Sequence, residues 1–228
     1  MKKKLGFLVA VLFAVVSCAA LFADAKNIVY NETFDFNQLE SINVALVYEN
    51  IQISRIYGDE IVVEIGSNNI KRIPEVIIED ETLIIRTKDK KVRKGNKCNV
   101  YLYLPQDFDA QSITVKNVDG NISADILQAQ NYVEVANISG RNDINCCKTE
   151  LFTVSSVSGN STLQKITADY FDFSSVSGII FVELEQTPLA TSEITTISGK
   201  TQVYYPKDSD LDKLEITSIS GKIERIAY

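Results

Sequence analysis

Val154 to Gly178, VSSVSGNSTLQKITADYFDFSSVSG, states one local pattern twice: Ser155-Ser156-Val157-Ser158-Gly159 returns as Ser174-Ser175-Val176-Ser177-Gly178. Weaker copies flank it at Asn117-Val118-Asp119-Gly120, Asn137-Ile138-Ser139-Gly140, Thr196-Ile197-Ser198-Gly199 and Ser218-Ile219-Ser220-Gly221. The six glycines are 20, 19, 19, 21 and 22 residues apart. A fixed period of this size marks stacked coils, because one unit cannot bury its apolar face without its neighbours. The expected fold is all-β: a single-domain parallel β-helix, or β-solenoid, with coils of about 20 residues.

Aligning the chain on its glycines gives columns. Two residues before each glycine stand Val118, Ile138, Val157, Val176, Ile197 and Ile219; five before stand Val115, Val135, Val154, Phe173, Ile194 and Ile216. Seven before are Ile113, Val133, Phe152, Phe171, Ser192 and Leu214; four after are Ala124, Ile144, Leu163, Val182 and Val203, with Arg225 breaking the column. All four columns are expected to face inward. The step from minus five to minus two changes strand parity, so a bend is expected at minus three, where Asn117, Asn137, Ser156, Ser175, Thr196 and Ser218 can hydrogen-bond the local backbone.

Residues 111–228 hold the regular repeats, and 41–105 read as degenerate N-terminal coils of the same domain, which spans 27–228. Measured back from Gly58, Ile51, Ile53 and Ile56 match minus seven, minus five and minus two, so Gly58 is expected to be an early corner. Lys26 to Phe36 reads as a lead-in or first edge strand. Val76-Ile77-Ile78 and Leu83-Ile84-Ile85 read as two strands joined by a short turn, and Cys98 to Leu104 as an alternating strand stopped by Pro105. Pro188 and Pro206 fall in the arcs between corners, where a solenoid accepts insertions.

Met1 to Ala25 stands apart. Lys2, Lys3 and Lys4 precede an apolar run from Leu5 to Phe22 and then Ala23-Asp24-Ala25, which reads as a signal peptide over residues 1–25 with a small-residue cleavage site. Val15-Val16-Ser17-Cys18 offers a second outcome, lipidation at Cys18 and tethering to a membrane. A retained anchor is the third, since the run is just long enough to span a bilayer. Cleavage removes three lysines and one aspartate, taking the formal charge from −7 to −9. So acidic a chain is a poor polyanion binder, and no nucleic-acid partner is expected. The expected location is extracytoplasmic: periplasm, outer-membrane surface or secreted.

Three cysteines remain after cleavage, Cys98, Cys146 and Cys147. Adjacent strand residues face apart, so Cys146 and Cys147 are expected to divide into a core residue and an exposed thiol; pairing of Cys98 with either stays open. Arg86 to Lys97 (RTKDKKVRKGNK) sets seven basic residues against one acidic one. It reads as a solvated loop, with docking to an anionic surface or glycan as the sharper alternative.

Catalytic signatures are sparse. The chain has no histidine, which removes the commonest general base and the commonest zinc or copper ligand, and there is no nucleophile elbow, phosphate-binding glycine loop or calcium-loop spacing. Asp119, Asp125, Asp143, Asp169 and Asp172 occupy scattered register positions, and only Asp169 and Asp172 share a coil. Phe171 and Phe173 belong to inward columns, whereas Tyr132 and Tyr170 are candidates for surface contact; Phe181 completes the aromatic set. No catalytic, cofactor-binding or metal-ligating residue is assigned, and no cofactor is expected.

Leu102-Tyr103-Leu104-Pro105, Ser112-Ile113-Thr114-Val115 and the serial Val/Ile-Ser-Gly units from Val118 to Gly221 resemble a family of bacterial extracytoplasmic adhesin-type domains of unknown function that form a β-helix. The resemblance implies a cell-surface or periplasmic, non-enzymatic role and transfers no binding residue. The expected function is an exported structural or adhesive surface whose partner is an envelope protein or glycan. The alternatives are a carbohydrate-active β-helix enzyme, a lyase or hydrolase using calcium-binding aspartates, and an envelope-stress or signalling accessory protein. The sequence stops at Tyr228, seven residues after its last repeat glycine, which leads one to expect an exposed coil end able to associate end to end with another chain.

Overall fold

A computed structural model describes residues 27–88 and 98–228. The expected signal segment, with Cys18 and Ala25, and most of the basic loop, residues 89–97, lie outside the described residues.

Among the described residues there is no α-helix, and the strands join into one continuous hydrogen-bonded system that coils on itself. The glycine-marked repeats stack in parallel and in register. Strand β8 (Ala110–Asp119) pairs with the first half of β10 (Leu127–Ile144), which pairs with β11 (Cys147–Leu184); β11 pairs with β12 (Ser192–Tyr205), and β12 with β13 (Leu214–Ser218) and β14 (Lys222–Ala227). Val133 lies between Ile113 and Phe152, and Ile194 between Phe173 and Ile216. Gly140 meets Gly159, and Gly178 meets Gly199. The six corners therefore form one line along the axis, with coils about 4.8 Å apart.

Three of the four expected inward columns are in the core. Val115, Val135, Val154, Phe173 and Ile194 are buried, as are Ile113, Val133, Phe152, Phe171, Ser192 and Leu214, and likewise Ala124, Ile144, Leu163, Val182 and Val203. Phe171 stacks on Phe173 at 4.7 Å, and Phe152 meets Phe173 edge-on at 5.1 Å. The polar exception at minus seven is satisfied: the Ser192 hydroxyl accepts from the Phe171 N–H (3.0 Å) and donates to the Ala190 carbonyl (3.1 Å).

The fourth column is a correction. Val118, Ile138, Val157, Val176, Ile197 and Ile219 point into water, from 36% exposed at Val118 to 78% at Ile219. The inward position is minus three, where Asn117, Asn137, Ser156, Ser175 and Thr196 are buried. Strand alternation simply continues from minus seven through minus five to minus three; the parity change falls at the glycine, and Ile122, Asn142, Ser161, Ile180 and Thr201 resume the core two residues beyond it. At its asparagine end this buried polar ladder bonds across coils, whereas the hydroxyls of Ser156, Thr196 and Thr201 have no hydrogen-bond partner among the described residues. Asn137 Nδ2 donates to the Gly120 carbonyl (2.8 Å) and Asn142 Oδ1 (3.1 Å), and Asn142 Nδ2 donates to Ser161 Oγ (3.1 Å).

Glycine is required at the corner because backbone approaches backbone there. A Cβ on Gly159 would stand 2.0 Å from the Gly140 carbonyl oxygen, and one on Gly178 would stand 1.9 Å from that of Gly159, at a φ of +128°.

The N-terminal half departs from a sequential stack. Strand β2 (Ser41–Ala45) lies beside β8, with Ile42 at Ile113 and Val44 at Val115, and β3 (Asn50–Ile56) lies beside β9 (Ile122–Ala124), with Ile51 at Ile122 and Ile53 at Ala124. Ile51 and Ile53 thus occupy the positions after the corner, not before it, and Gly58 is no corner. Glu49 stands there instead: its carbonyl accepts from Asn117 Nδ2 (2.7 Å), and its buried carboxylate accepts from the N–H groups of Val47 (2.9 Å) and Tyr48 (2.8 Å).

The next coil outward comes from later sequence. Strand β6 (Thr82–Arg86) pairs with β2, and β7 (Cys98–Pro105) pairs with β3, so the coil of residues 41–56 is inserted between 82–105 and 112–124. Antiparallel strands close this end: β4 (Glu60–Ser67) on β7, β1 (Ile28–Asp35) on β4, and β5 (Glu75–Glu79) on β6. The expected edge strand is β1, and the expected strand pair is the β5–β6 hairpin, turned by Asp80 and Glu81 at φ of 46° and 59° as a tight hairpin requires. Arg55 ties the first arc down by donating from Nη1 to the carbonyls of Pro105 and Phe108, each at 2.7 Å.

Candidate interaction surface

The strand segment before each corner turns every second side chain outward, and in-register stacking converts these into straight columns along the axis. The column nearest the corner is the aliphatic ladder Val118, Ile138, Val157, Val176, Ile197 and Ile219. Two residues further back stand small or mostly hydroxyl-bearing side chains, Ala136, Ser155, Ser174, Thr195 and Thr217, preceded by Lys116. Next comes Glu134, Thr153, Asp172, Glu193 and Glu215, preceded by the buried Thr114, a column that turns acidic toward the C-terminal coils. Beyond it Tyr132, Leu151 and Tyr170 share one column, Tyr132 exposed and Tyr170 half-buried.

Hydroxyl groups hold this face rigid at its corner. Serine hydroxyls one residue before five of the six glycines donate to the coil behind: Ser139 to the Val118 carbonyl (3.3 Å), Ser158 to Ile138 (3.4 Å), Ser177 to Val157 (3.3 Å), Ser198 to Val176 (3.3 Å) and Ser220 to Ile197 (3.1 Å). Each bond reaches the carbonyl of the ladder residue below, so the aliphatic side chains are set at the coil spacing. Just past the corner, Asn50, Asn121 and Asn160 accept through Oδ1 from the N–H of Asn121, Arg141 and Ile179 at 3.0, 3.0 and 3.1 Å.

Charge is unevenly distributed about the ladder. Asp172 and Glu193 are register partners, and so are Glu193 and Glu215; partial burial, then the neighbouring Glu193 charge, raises the Asp172 carboxyl above its ordinary value. On the other side of the corner, Lys200 and Lys222 share one carboxylate, Glu224, at 2.9 and 2.6 Å. The bonds from Lys222 and then Lys200 hold Glu224 down at about 2. Arg141 stands 3.9 Å from Asp143.

The acids singled out in the sequence do not converge. Asp119 accepts from the Ser139 hydroxyl (3.1 Å), Asp143 faces Arg141, and Asp125 and Asp169 occupy other columns. Among the described residues, no three of His, Cys, Asp or Glu come together as a cation site. Phe181 packs against Tyr204 at 5.0 Å on the face beyond the corner. Cys98 and Cys147 are buried, Cys146 is half-buried, and no disulfide joins them among the described residues. Burial, and then the charge of Glu49, pushes the Cys98 thiol up to about 12. The exposed ladder was missed because its six aliphatic residues look like core; the signal that could have found it is unbroken alternation from minus seven to minus three.

The Toastrack DUF4097 family model matches residues 39–226. No curated protein matches this chain. The crystal structure of a "putative adhesin" from Bacteroides fragilis is similar at a TM-score of 0.51 and 16% identity, covering 86% of this chain and 96% of that one. A "putative cell adhesion protein" from Clostridium sporogenes follows at 0.46 and 11%, covering 87% and 99%. A "putative adhesin" from Parabacteroides merdae follows at 0.41 and 14%, covering 86% and 95%. At 16% identity the likeness to the first of these is one of fold.

Proposed function

The chain belongs to the Toastrack DUF4097 family, and from that premise we propose that it works outside the cytoplasm as a non-catalytic interaction surface, an adhesive or structural element of the cell envelope. One observation carries this reading: a column of six β-branched side chains is left in water along a face whose backbone is held by strand pairing and serine hydroxyls. Contiguous apolar surface of several hundred Å² on a rigid scaffold is characteristic of a binding face. The lysine-rich leader followed by an apolar run supports export, and the absence of histidine together with the scatter of the aspartates supports a role without turnover.

The test is retention of envelope proteins and glycans on the immobilised purified chain, compared with a Val157→Asp/Val176→Asp variant. Retention by the parent and loss in the variant is expected. Retention that the variant leaves unchanged refutes the assignment of this face. Reproducible product release from acidic glycans, with or without calcium, refutes the non-catalytic role. Fractionation of cells with mass spectrometry of the mature N-terminus decides export and distinguishes cleavage after Ala25 from lipidation at Cys18.

A further inference from the structure

The ladder is flanked by opposite charges on the same rungs. Four residues before Ile138, Ile197 and Ile219 stand Glu134, Glu193 and Glu215; three residues after them stand Arg141, Lys200 and Lys222. The carboxylates lie across the hydroxyl-bearing column on one side, and the cations lie just past the glycine corner on the other. Because Lys200 and Lys222 share the single carboxylate of Glu224, that side keeps net positive charge on the last two rungs.

We infer that the partner of this face is a second copy of the same chain, docked side by side with the solenoid axes parallel and a two-fold axis running along the aliphatic ladder. This rests on the reading of the face as an interaction surface. A two-fold interface is self-complementary, the same patch meeting itself. An axis along the ladder keeps each rung level and exchanges its two sides. Val157 then packs on Val157 and Val176 on Val176, while Glu193 of one copy faces Lys200 of the other and Glu215 faces Lys222. A two-fold axis across the ladder would instead lay the acidic column of one copy on that of the other, with like charges opposed in a low-dielectric interface. Charge therefore selects the parallel arrangement and fixes its register. Six rungs span about 24 Å, and the strip from the acidic column to the cations, Glu193 to Lys200, spans about 23 Å at strand rise, so the patch that meets itself is about 550 Å² per partner, the scale of a weak, reversible interface.

Sedimentation velocity of the purified chain over a micromolar concentration series tests this. A reversible dimer is expected, weakened at least about tenfold by Val157→Asp/Val176→Asp with only a small loss of melting temperature, since both residues are already exposed and the two new carboxylates one coil apart repel modestly. Glu193→Lys alone should weaken the dimer, and Glu193→Lys with Lys200→Glu should restore it. Val157→Cys should form a disulfide with its own counterpart under mild oxidation. A chain monomeric at every concentration, a dimer indifferent to the ladder substitutions, or a charge exchange that fails to restore association each overturns the inference. If the monomeric chain still retains envelope material through this face, the inference fails and the interaction-surface reading stands; if it retains none, both fail.

Discussion

Replacing Gly178 by alanine sets a methyl carbon 1.9 Å from the Gly159 carbonyl oxygen, on a backbone with φ of +128°. Two costs combine there. An L-residue held in such a conformation costs about 1–3 kcal/mol. Relieving the clash requires the two coils to part by more than about 1 Å at a spacing near 4.8 Å, stretching the strand bonds on either side, and overpacking of this kind costs about 1–3 kcal/mol. The sum is about 4 kcal/mol, a large share of the 5–15 kcal/mol that holds a typical domain together. In a domain of this size it should lower Tm by roughly 8–16 °C.

Two other glycines separate the contributions. Gly58 has a φ of +142° with nothing among the described residues within 4 Å of its added Cβ, so Gly58→Ala tests conformation alone. Gly159 meets the Gly140 carbonyl at 2.0 Å without a positive φ, so Gly159→Ala tests the clash alone. Far-UV circular dichroism melts of the three variants should rank Gly178→Ala as the most damaging. If Gly58→Ala destabilises as much as Gly178→Ala, or if Gly178→Ala melts within about 2 °C of the parent, close stacking of the corners is refuted.

Further outcomes test other parts of the structure. Val157→Thr should change stability by less than about 0.5 kcal/mol, as exposed substitutions do, whereas Val154→Ala, three residues earlier but in the core, should cost about 2 kcal/mol in urea unfolding. Thr196 and Thr201 are buried with hydroxyls that have no partner among the described residues, so Thr196→Val and Thr201→Val should each stabilise by about 1 kcal/mol in the same assay. Cys146 should react with a thiol reagent in the native protein while Cys98 and Cys147 react only on unfolding. The raised Cys98 value contributes stability that is present below the ordinary value near 9 and lost as pH rises toward about 12; alkaline melts that Cys98→Ala leaves equally steep would refute it. The depressed Glu224 carboxyl contributes stability present above its ordinary value of 4.5 and lost as pH falls through about 2. A carboxyl titration by NMR should find it there, moving upward in Lys222→Ala.

The repeat period alone made the solenoid legible, and with it the line of corners, the serine and glycine columns and three of the four apolar columns. These follow from local sequence because parallel in-register stacking preserves whatever repeats: residues one period apart become neighbours. The orientation of the ladder was legible in principle, since alternation predicts it once hydrophobicity is set aside. Residue type points the other way, placing valine and isoleucine in the interior and asparagine, serine and threonine at the bend.

The N-terminal half lay beyond sequence reasoning for a different reason. Ile42, Val44, Ile51 and Ile53 show the right alternation but no repeated corner, so no period fixes their register, and Gly58 supplied a false one. That the coil of residues 41–56 is inserted between 82–105 and 112–124 is settled by which strand edge is free to pair with β8 and β9, a long-range competition that local pattern does not encode. Likewise, the sequence by itself determined which residues recur and that they must stack. Only the tertiary structure decided where the alternation breaks, because the turn at glycine, where backbone meets backbone, resets the parity of everything beyond it.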